Sequence, residues 1–177
     1  MQNVKLIALD VDGTLTDGTL LYGSDGGQAK AFHVADGLGM VMAQAVGLKI
    51  AVISGRSSRA VETRMAELKV TDLVQNCGDK ARALMQIRTK YELTAEETAF
   101  VGDDINDLPA FAVAGVRIAV ADASDTLKAQ ADWVTPRRGG AGAVRDAVEE
   151  ILRRQGRLDE AVAAYLASVK HAEAPRQ

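Results

Sequence analysis

Four times along this chain an apolar run of strand type ends abruptly in polar residues. Val4, Leu6, Ile7 and Leu9 lead into Asp10-Val11-Asp12-Gly13-Thr14, and Leu48 to Ile53 into Ser54-Gly55-Arg56. Leu73-Val74 is followed by Asn76, Gly78 and Lys80, and Ala99 to Val101 by Gly102-Asp103-Asp104. Apolar runs without polar alternation suit strands buried on both faces, as in a parallel sheet. Helix-type stretches separate them. The fold class predicted is α/β, a Rossmann-like parallel sheet with helices on both faces and right-handed crossovers. In such a sheet the strand ends point one way, so the four clusters converge on one edge.

The intervening segments carry turn and cap signals. Thr16 to Gly27 is rich in Gly, Thr, Ser and Asp. It predicts a β-hairpin over about 18–34, with Leu20–Tyr22 and Ala29–Val34 flanking a turn at Gly23–Gly27. Asp36 is expected to cap a helix to about Ala45, and Ser57 or Ser58 one through Leu68. Further helices are expected from Asp79 to Tyr91, Asn106 to Ala114 (with Pro109 in its first turn), Ser124 to Ala131, Ala143 to Arg154 and Leu158 to Lys170. Val116–Val120 and Trp133–Val134 complete the strands, and Gly139, Gly140 and Gly142 predict a mobile loop. The 177 residues are read as one domain, 1–177, with a helical tail over about 157–177.

Composition narrows the partners. A net charge of −3 argues against nucleic acid as the main partner. Cys77 is the single cysteine, which rules out an intrachain disulfide and fits a reducing compartment. Neither a signal-peptide pattern nor an apolar run near the ~20 residues of a membrane span is visible, so a soluble, cytoplasmic chain is expected.

Asp10 and Asp12 repel each other, and a divalent cation relieves that repulsion. Alone, Asp-Val-Asp-Gly could be an EF-hand loop or a plain turn. The EF-hand offsets are wrong, and the downstream clusters decide against the turn. Together the residue types match phosphoryl transfer. Asp10 is the candidate nucleophile, forming an aspartyl-phosphate, and Asp12 the acid that protonates the leaving oxygen and then activates water. The candidate Mg²⁺ set is Asp10, Asp12 and Asp103, one ligand being a backbone carbonyl. Ser54, with amides at a helix N-terminus, is expected to hold phosphate oxygens, while Lys80 neutralises the transferring group. Asp107 is expected to fix Lys80; Asp104 either supports the metal or caps a helix. Thr14 and Gly55 are assigned to substrate binding. Arg56 and Arg64 either bind a substrate carboxylate or are surface charges. His33 is read as a hairpin face residue, and Cys77 and Trp133 as packing residues. Arg153, Arg154 and Arg157 are either a solvated helix end or a tail reaching a neighbour's site.

Asp10-Val-Asp12-Gly13-Thr14, Ser54, Lys80 and Gly102-Asp103-Asp104-x-x-Asp107 resemble the four motifs of the haloacid dehalogenase superfamily of phosphatases, over nearly the whole chain. The resemblance implies the Mg²⁺-dependent roles just given. About 40 residues separate Asp12 from Ser54 and about 22 separate Lys80 from Asp103, too few for a cap domain of usual size. Within the superfamily the chain resembles the 3-deoxy-D-manno-octulosonate 8-phosphate phosphatases. The segments concerned are Lys30-Ala-Phe32, Asp36-Gly37, Ser54-Gly55-Arg56, Arg64, Gly139-Gly140-x-Gly142-Ala-Val-Arg145 and Gln155-Gly-Arg-Leu-Asp159-Glu160-Ala161. That resemblance implies a small phosphate ester substrate, a role in lipopolysaccharide biosynthesis, and a homotetramer joined through Thr19–Val34 in which a neighbour covers each site. Ala35 departs from the family's Arg, and Arg56 argues against the set acting on nine-carbon sugar acid phosphates, which carries Glu there. Competing readings are a generalist sugar phosphate phosphatase, a phosphotransferase, and a non-catalytic oligomerisation module of sugar nucleotide biosynthesis.

Overall fold

A computed structural model describes residues 1–24 and 27–173. Its centre is β1 (Leu6–Leu9), every residue of which is buried. β1 pairs in parallel with β4 (Lys49–Ile53) and β6 (Thr98–Gly102). β5 (Asp72–Val74) flanks β4; β7 (Val116–Ala119) and β8 (Trp133–Val134) continue past β6. The six-stranded order is β5-β4-β1-β6-β7-β8, and every pairing is parallel. Alternate side chains of a strand point to opposite faces, so the unbroken burial of β1 means both faces are covered.

The helices are α1 (Val34–Ala45), α2 (Arg59–Glu67), α3 (Lys80–Lys90), α4 (Leu108–Val113), α5 (Asp125–Lys128), α6 (Ala143–Arg154) and α7 (Leu158–Glu173). α1 packs on α6 and α7, and α3 on α4. Phe100 of β6 meets Phe111 of α4 edge-to-face, ring centres 6.2 Å apart. Cys77 and Trp133 lie partly buried against the core. Among the described residues no helix is long and apolar enough to cross a membrane.

β2 (Leu21–Tyr22) and β3 (Gln28–Ala29) form a short antiparallel ribbon. Asp25 and Gly26 of the expected turn lie outside the described residues, as do the last four residues of the expected tail. β3 ends at Ala29 rather than Val34, because α1 starts earlier than expected. Its cap is His33, whose Nδ1 accepts from Ala35 N at 3.3 Å. His33 is thus a helix cap and not a hairpin face residue, and Asp36 is left free to face α6. A 3₁₀ turn over Ile105–Asp107 precedes α4, where one continuous helix was expected. The Gly139–Gly142 loop is fastened rather than mobile. Gly140 N donates to Thr14 O at 3.0 Å, and Gly139 N to Asp122 Oδ1 at 2.9 Å.

Candidate active site

Strand register sets the site. Leu9 lies opposite both Val52 and Val101. Asp10 therefore leaves β1 level with the ends of β4 and β6, and Ser54 and Asp103 follow those ends. Asp10 N donates to Val101 O at 3.0 Å, extending the ladder to the site's first carboxylate. The fourth cluster arrives on α3. Lys80 is that helix's first residue, after the cap Asp79, which accepts from Arg82 N at 3.0 Å.

Lys80 is only 4% exposed. Its Nζ lies 2.7 Å from Asp10 Oδ1 and 2.5 Å from Asp107 Oδ1. The other Asp107 oxygen accepts from Asp103 N at 3.0 Å, so one carboxylate fixes both the amine and the loop after β6. Carboxylate oxygens of Asp10, Asp103 and Asp107 all lie within 4.8 Å of one another. Two glycines make room. A Cβ on Gly102 would stand 2.3 Å from Asp107 Oδ2. One on Gly13, whose φ is +91°, would stand 2.0 Å from Asp103 Oδ2.

Crowding of like charges marks this cluster. Burial, with Asp107 nearby, pushes the Asp10 carboxyl up to about 6 against the pull of Lys80. Burial, then Asp10 and Asp107, pushes Asp103 up to about 8. Burial disfavours the Lys80 charge, but the two carboxylates outweigh it and raise its pKa. Asp103 Oδ1 is buried without a hydrogen-bond partner. A buried, unpartnered oxygen among hard carboxylate donors is a good fit for Mg²⁺. Fully ionised, Asp10, Asp12, Asp103 and Asp107 outnumber Lys80 and Lys30 by two charges, which a divalent cation balances.

The side chain of Asp12 stands apart from that cluster, paired with Lys30. Lys30, at the end of the hairpin, has a side chain only 2% exposed. It enters the sequence reading only as part of a family resemblance; its sole further signal is a lysine set between Ala29 and the apolar Ala31-Phe32. Ser54 is buried, and its Oγ accepts from Arg56 N at 3.2 Å. The expected helix N-terminus does not follow it directly. α2 begins at Arg59 with Ser58 at its cap, so the amides beside Ser54 belong to a loop. The cause is Gln75, whose Oε1 accepts from Ser58 N at 2.8 Å and holds the chain extended there.

Thr14 is fully buried and its Oγ1 has no partner. Gly55 and Arg56 are exposed, and Arg56 donates to Tyr22 Oη at 3.1 Å, bridging to the hairpin. Arg64 pairs with Glu67 at 3.1 Å. A Cβ on Gly37 would stand 2.3 Å from its guanidinium, so with any other residue there the Arg64 side chain would have to shift. Asp104 is exposed and accepts from Ile105 N at 2.7 Å, capping the 3₁₀ turn.

The family model described as haloacid dehalogenase-like hydrolase matches residues 69–147. The 3-deoxy-D-manno-octulosonate 8-phosphate phosphatase of Escherichia coli K12 is 42% identical over 160 residues, covering 90% of this chain and 85% of the relative. The Haemophilus influenzae enzyme of that name is 40% identical over 172 residues, 96% of each chain. The crystal structure of the Moraxella catarrhalis phosphatase, in complex with magnesium ion, phosphate ion and KDO, superposes with a TM-score of 0.89 at 39% identity. It covers 93% of this chain and 94% of that one.

Proposed function

The chain belongs to the haloacid dehalogenase-like family of 3-deoxy-D-manno-octulosonate 8-phosphate phosphatases, and from this we propose that it hydrolyses that sugar acid phosphate in a Mg²⁺-dependent reaction. The observation that carries the reading is the cluster of Asp10, Asp103 and Asp107 oxygens around Lys80 at one sheet edge. Carboxylates that can hold a cation, beside a nucleophile and one buried amine, suit phosphoryl transfer.

Asp10 attacks phosphorus; an O–P bond forms at its carboxylate as the bond to the sugar oxygen breaks. Asp12 donates a proton to that departing oxygen. A water then attacks the aspartyl-phosphate, Asp12 takes its proton, and Asp10 leaves as a carboxylate with release of inorganic phosphate. Lys80 offsets charge on the phosphoryl oxygens, and the Ser54–Gly55 loop offers them hydrogen bonds. Asp10, Asp103 and the Asp12 carbonyl are the residues that would hold Mg²⁺, and the ion would supply positive charge against the phosphoryl dianion. Lys30 holds the Asp12 side chain in place, while Asp107 and Asp104 support Lys80 and the loop after β6. Thr14, Arg56 and Arg64 are read as substrate contacts.

We read the whole chain as one phosphatase domain that works as a homotetramer in the cytoplasm. Exposed Leu20, Leu21 and Tyr22 on the hairpin support assembly, since an open site without a cap gains from a neighbour that excludes water. Light scattering on the purified chain tests the assembly.

Phosphate release across a panel of sugar and sugar acid phosphates, with and without Mg²⁺, tests the function. Strong Mg²⁺-dependent preference for the eight-carbon sugar acid phosphate is expected. Broad, weak hydrolysis would replace this reading with a generalist one. Absence of metal-dependent release from every ester would leave the oligomerisation module.

A further inference from the structure

α6 has an N-terminus that cannot cap itself. The cap position is Gly142, with φ +106° and no side chain. The missing acceptor comes from another helix. Asp36 of α1 is 1% exposed; its Oδ1 accepts from Arg145 N at 2.8 Å and its Oδ2 from Gly142 N at 3.2 Å.

The residues just before α6 lean on the catalytic loop. Gly140 N donates to Thr14 O at 3.0 Å. Gly139 is pressed so closely to Gly13 that an added Cβ would stand 1.7 Å from Gly13 O. The far side of Gly13 faces the Asp103 carboxylate, 2.0 Å from where a Cβ would be. Gly13 is thus held between the glycine turn and Asp103. Contacts run without a gap from Asp36, through the start of α6 and Gly140-Gly139, to Gly13 and Asp103.

We propose that Asp36 is a positioning residue for divalent cation binding: by fixing the start of α6 it sets the Asp12–Thr14 loop against Asp103. This rests on the reading of that cluster as the cation site. Positions that orient metal ligands from outside the coordination shell typically change affinity by tenfold or more when altered. The fold itself has other anchors here. Arg137 Nη2 pairs with Asp146 Oδ1 at 2.5 Å, and Gly139 N is held by Asp122. With Asp36 altered, Gly139 and α6 thus stay anchored, and what is lost is the fixed placement of Gly142 and the start of α6 relative to Gly140.

The experiment titrates Mg²⁺ alone, by calorimetry, into the metal-stripped full chain and its Asp36→Asn and Asp36→Ala variants. Amide exchange over residues 139–145 is followed in parallel. Asp36→Asn keeps the shape but turns an amide N–H toward one of the two donors. It should weaken Mg²⁺ by about tenfold, with faster exchange at Gly140 and turnover regained on raising Mg²⁺. Asp36→Ala should weaken it further; should that variant fail to fold, Asp36→Asn carries the test alone. A lower melting temperature in Asp36→Asn with an unchanged Mg²⁺ dissociation constant would overturn the proposal and leave Asp36 a helix cap. A wild-type chain that takes up no Mg²⁺ would overturn the cation site and this inference with it.

Discussion

Lys80 and Asp107 meet at 2.5 Å with neither side chain open to solvent, at 4% and 0% exposure. Because Asp107 also receives the Asp103 amide, the pair joins the start of α3 to the end of β6. Removing one partner of a buried ion pair leaves the other charge uncompensated, at about 3–5 kcal/mol. Lys80→Met strands two carboxylates, Asp10 and Asp107. In urea denaturation without metal it should lose stability on that scale. Its phosphate release should fall at least about 100-fold, because the charge facing the phosphoryl group is gone.

Asp10→Asn separates chemistry from folding. The amide fills the same volume and still accepts from Lys80, but it is a poor nucleophile. Far-UV circular dichroism should match that of wild type. Turnover should drop by about a thousandfold or more, as expected when a covalent route is closed. Near-normal hydrolysis would eliminate the aspartyl-phosphate.

Metal-free stability should fall as pH rises. The Asp10 and Asp103 carboxyls have folded pKa values raised from 3.8 to about 6 and about 8, chiefly by burial. A raised carboxyl binds its proton more tightly folded than unfolded, so its contribution is complete below about pH 4. It is lost as pH climbs through 6 and then 8. Mg²⁺ binds the ionised forms, so its stabilisation should grow across the same window. Melting temperatures from pH 5 to about 8.5, with chelator and with excess Mg²⁺, check both slopes. Parallel curves would count against these carboxyls as the cation's ligands.

Lys30 ties the hairpin to the chemistry through Asp12. General acid–base groups contribute about 10²–10⁴-fold, and a freed Asp12 keeps only part of that. Lys30→Met should therefore lower kcat by about tenfold or more while KM moves little. The loss should be steeper for alkyl than for aryl phosphates, since a good leaving group needs less help from an acid. Equal losses on both would assign Lys30 to substrate binding.

The sheet and its catalytic edge were readable because their causes are local. β1 is apolar throughout and β4 and β6 carry the apolar stretches Ile50–Ile53 and Ala99–Val101, and strand direction gathers Asp10, Ser54 and Asp103. What escaped depends on partners distant in sequence. Asp36 reads as a helix cap for its own segment but caps α6, more than 100 residues away. The glycines before α6 read as a loose loop, since a Gly-rich string looks the same whether it is free or pressed against a backbone. α2 starts where the serines suggest, after Ser58, but what bonds Ser58 N is the distant Gln75, which no local pattern reveals. Lys30 gave only the weak signal of a lysine among apolar neighbours, because burial of a lysine is decided by the carboxylate it reaches.

Gly13 combines two demands that no other residue meets. Its φ of +91° lies where an L side chain is strained, and a Cβ there would stand 2.0 Å from Asp103 Oδ2. The backbone strain alone costs about 1–2 kcal/mol. The overlap must be relieved by moving Asp103, because Gly139 blocks retreat on the carbonyl side. Gly13→Ala should thus fold with a lowered melting temperature yet lose Mg²⁺ affinity far beyond what that destabilisation explains. Gly47→Ala is the control: its φ of +86° imposes comparable strain, but nothing lies within 4 Å of its Cβ. Calorimetric Mg²⁺ titration of both variants decides the matter. Weakened binding in Gly13→Ala alone ties the loop to the cation, and equal binding in the two would reduce Gly13 to a turn residue.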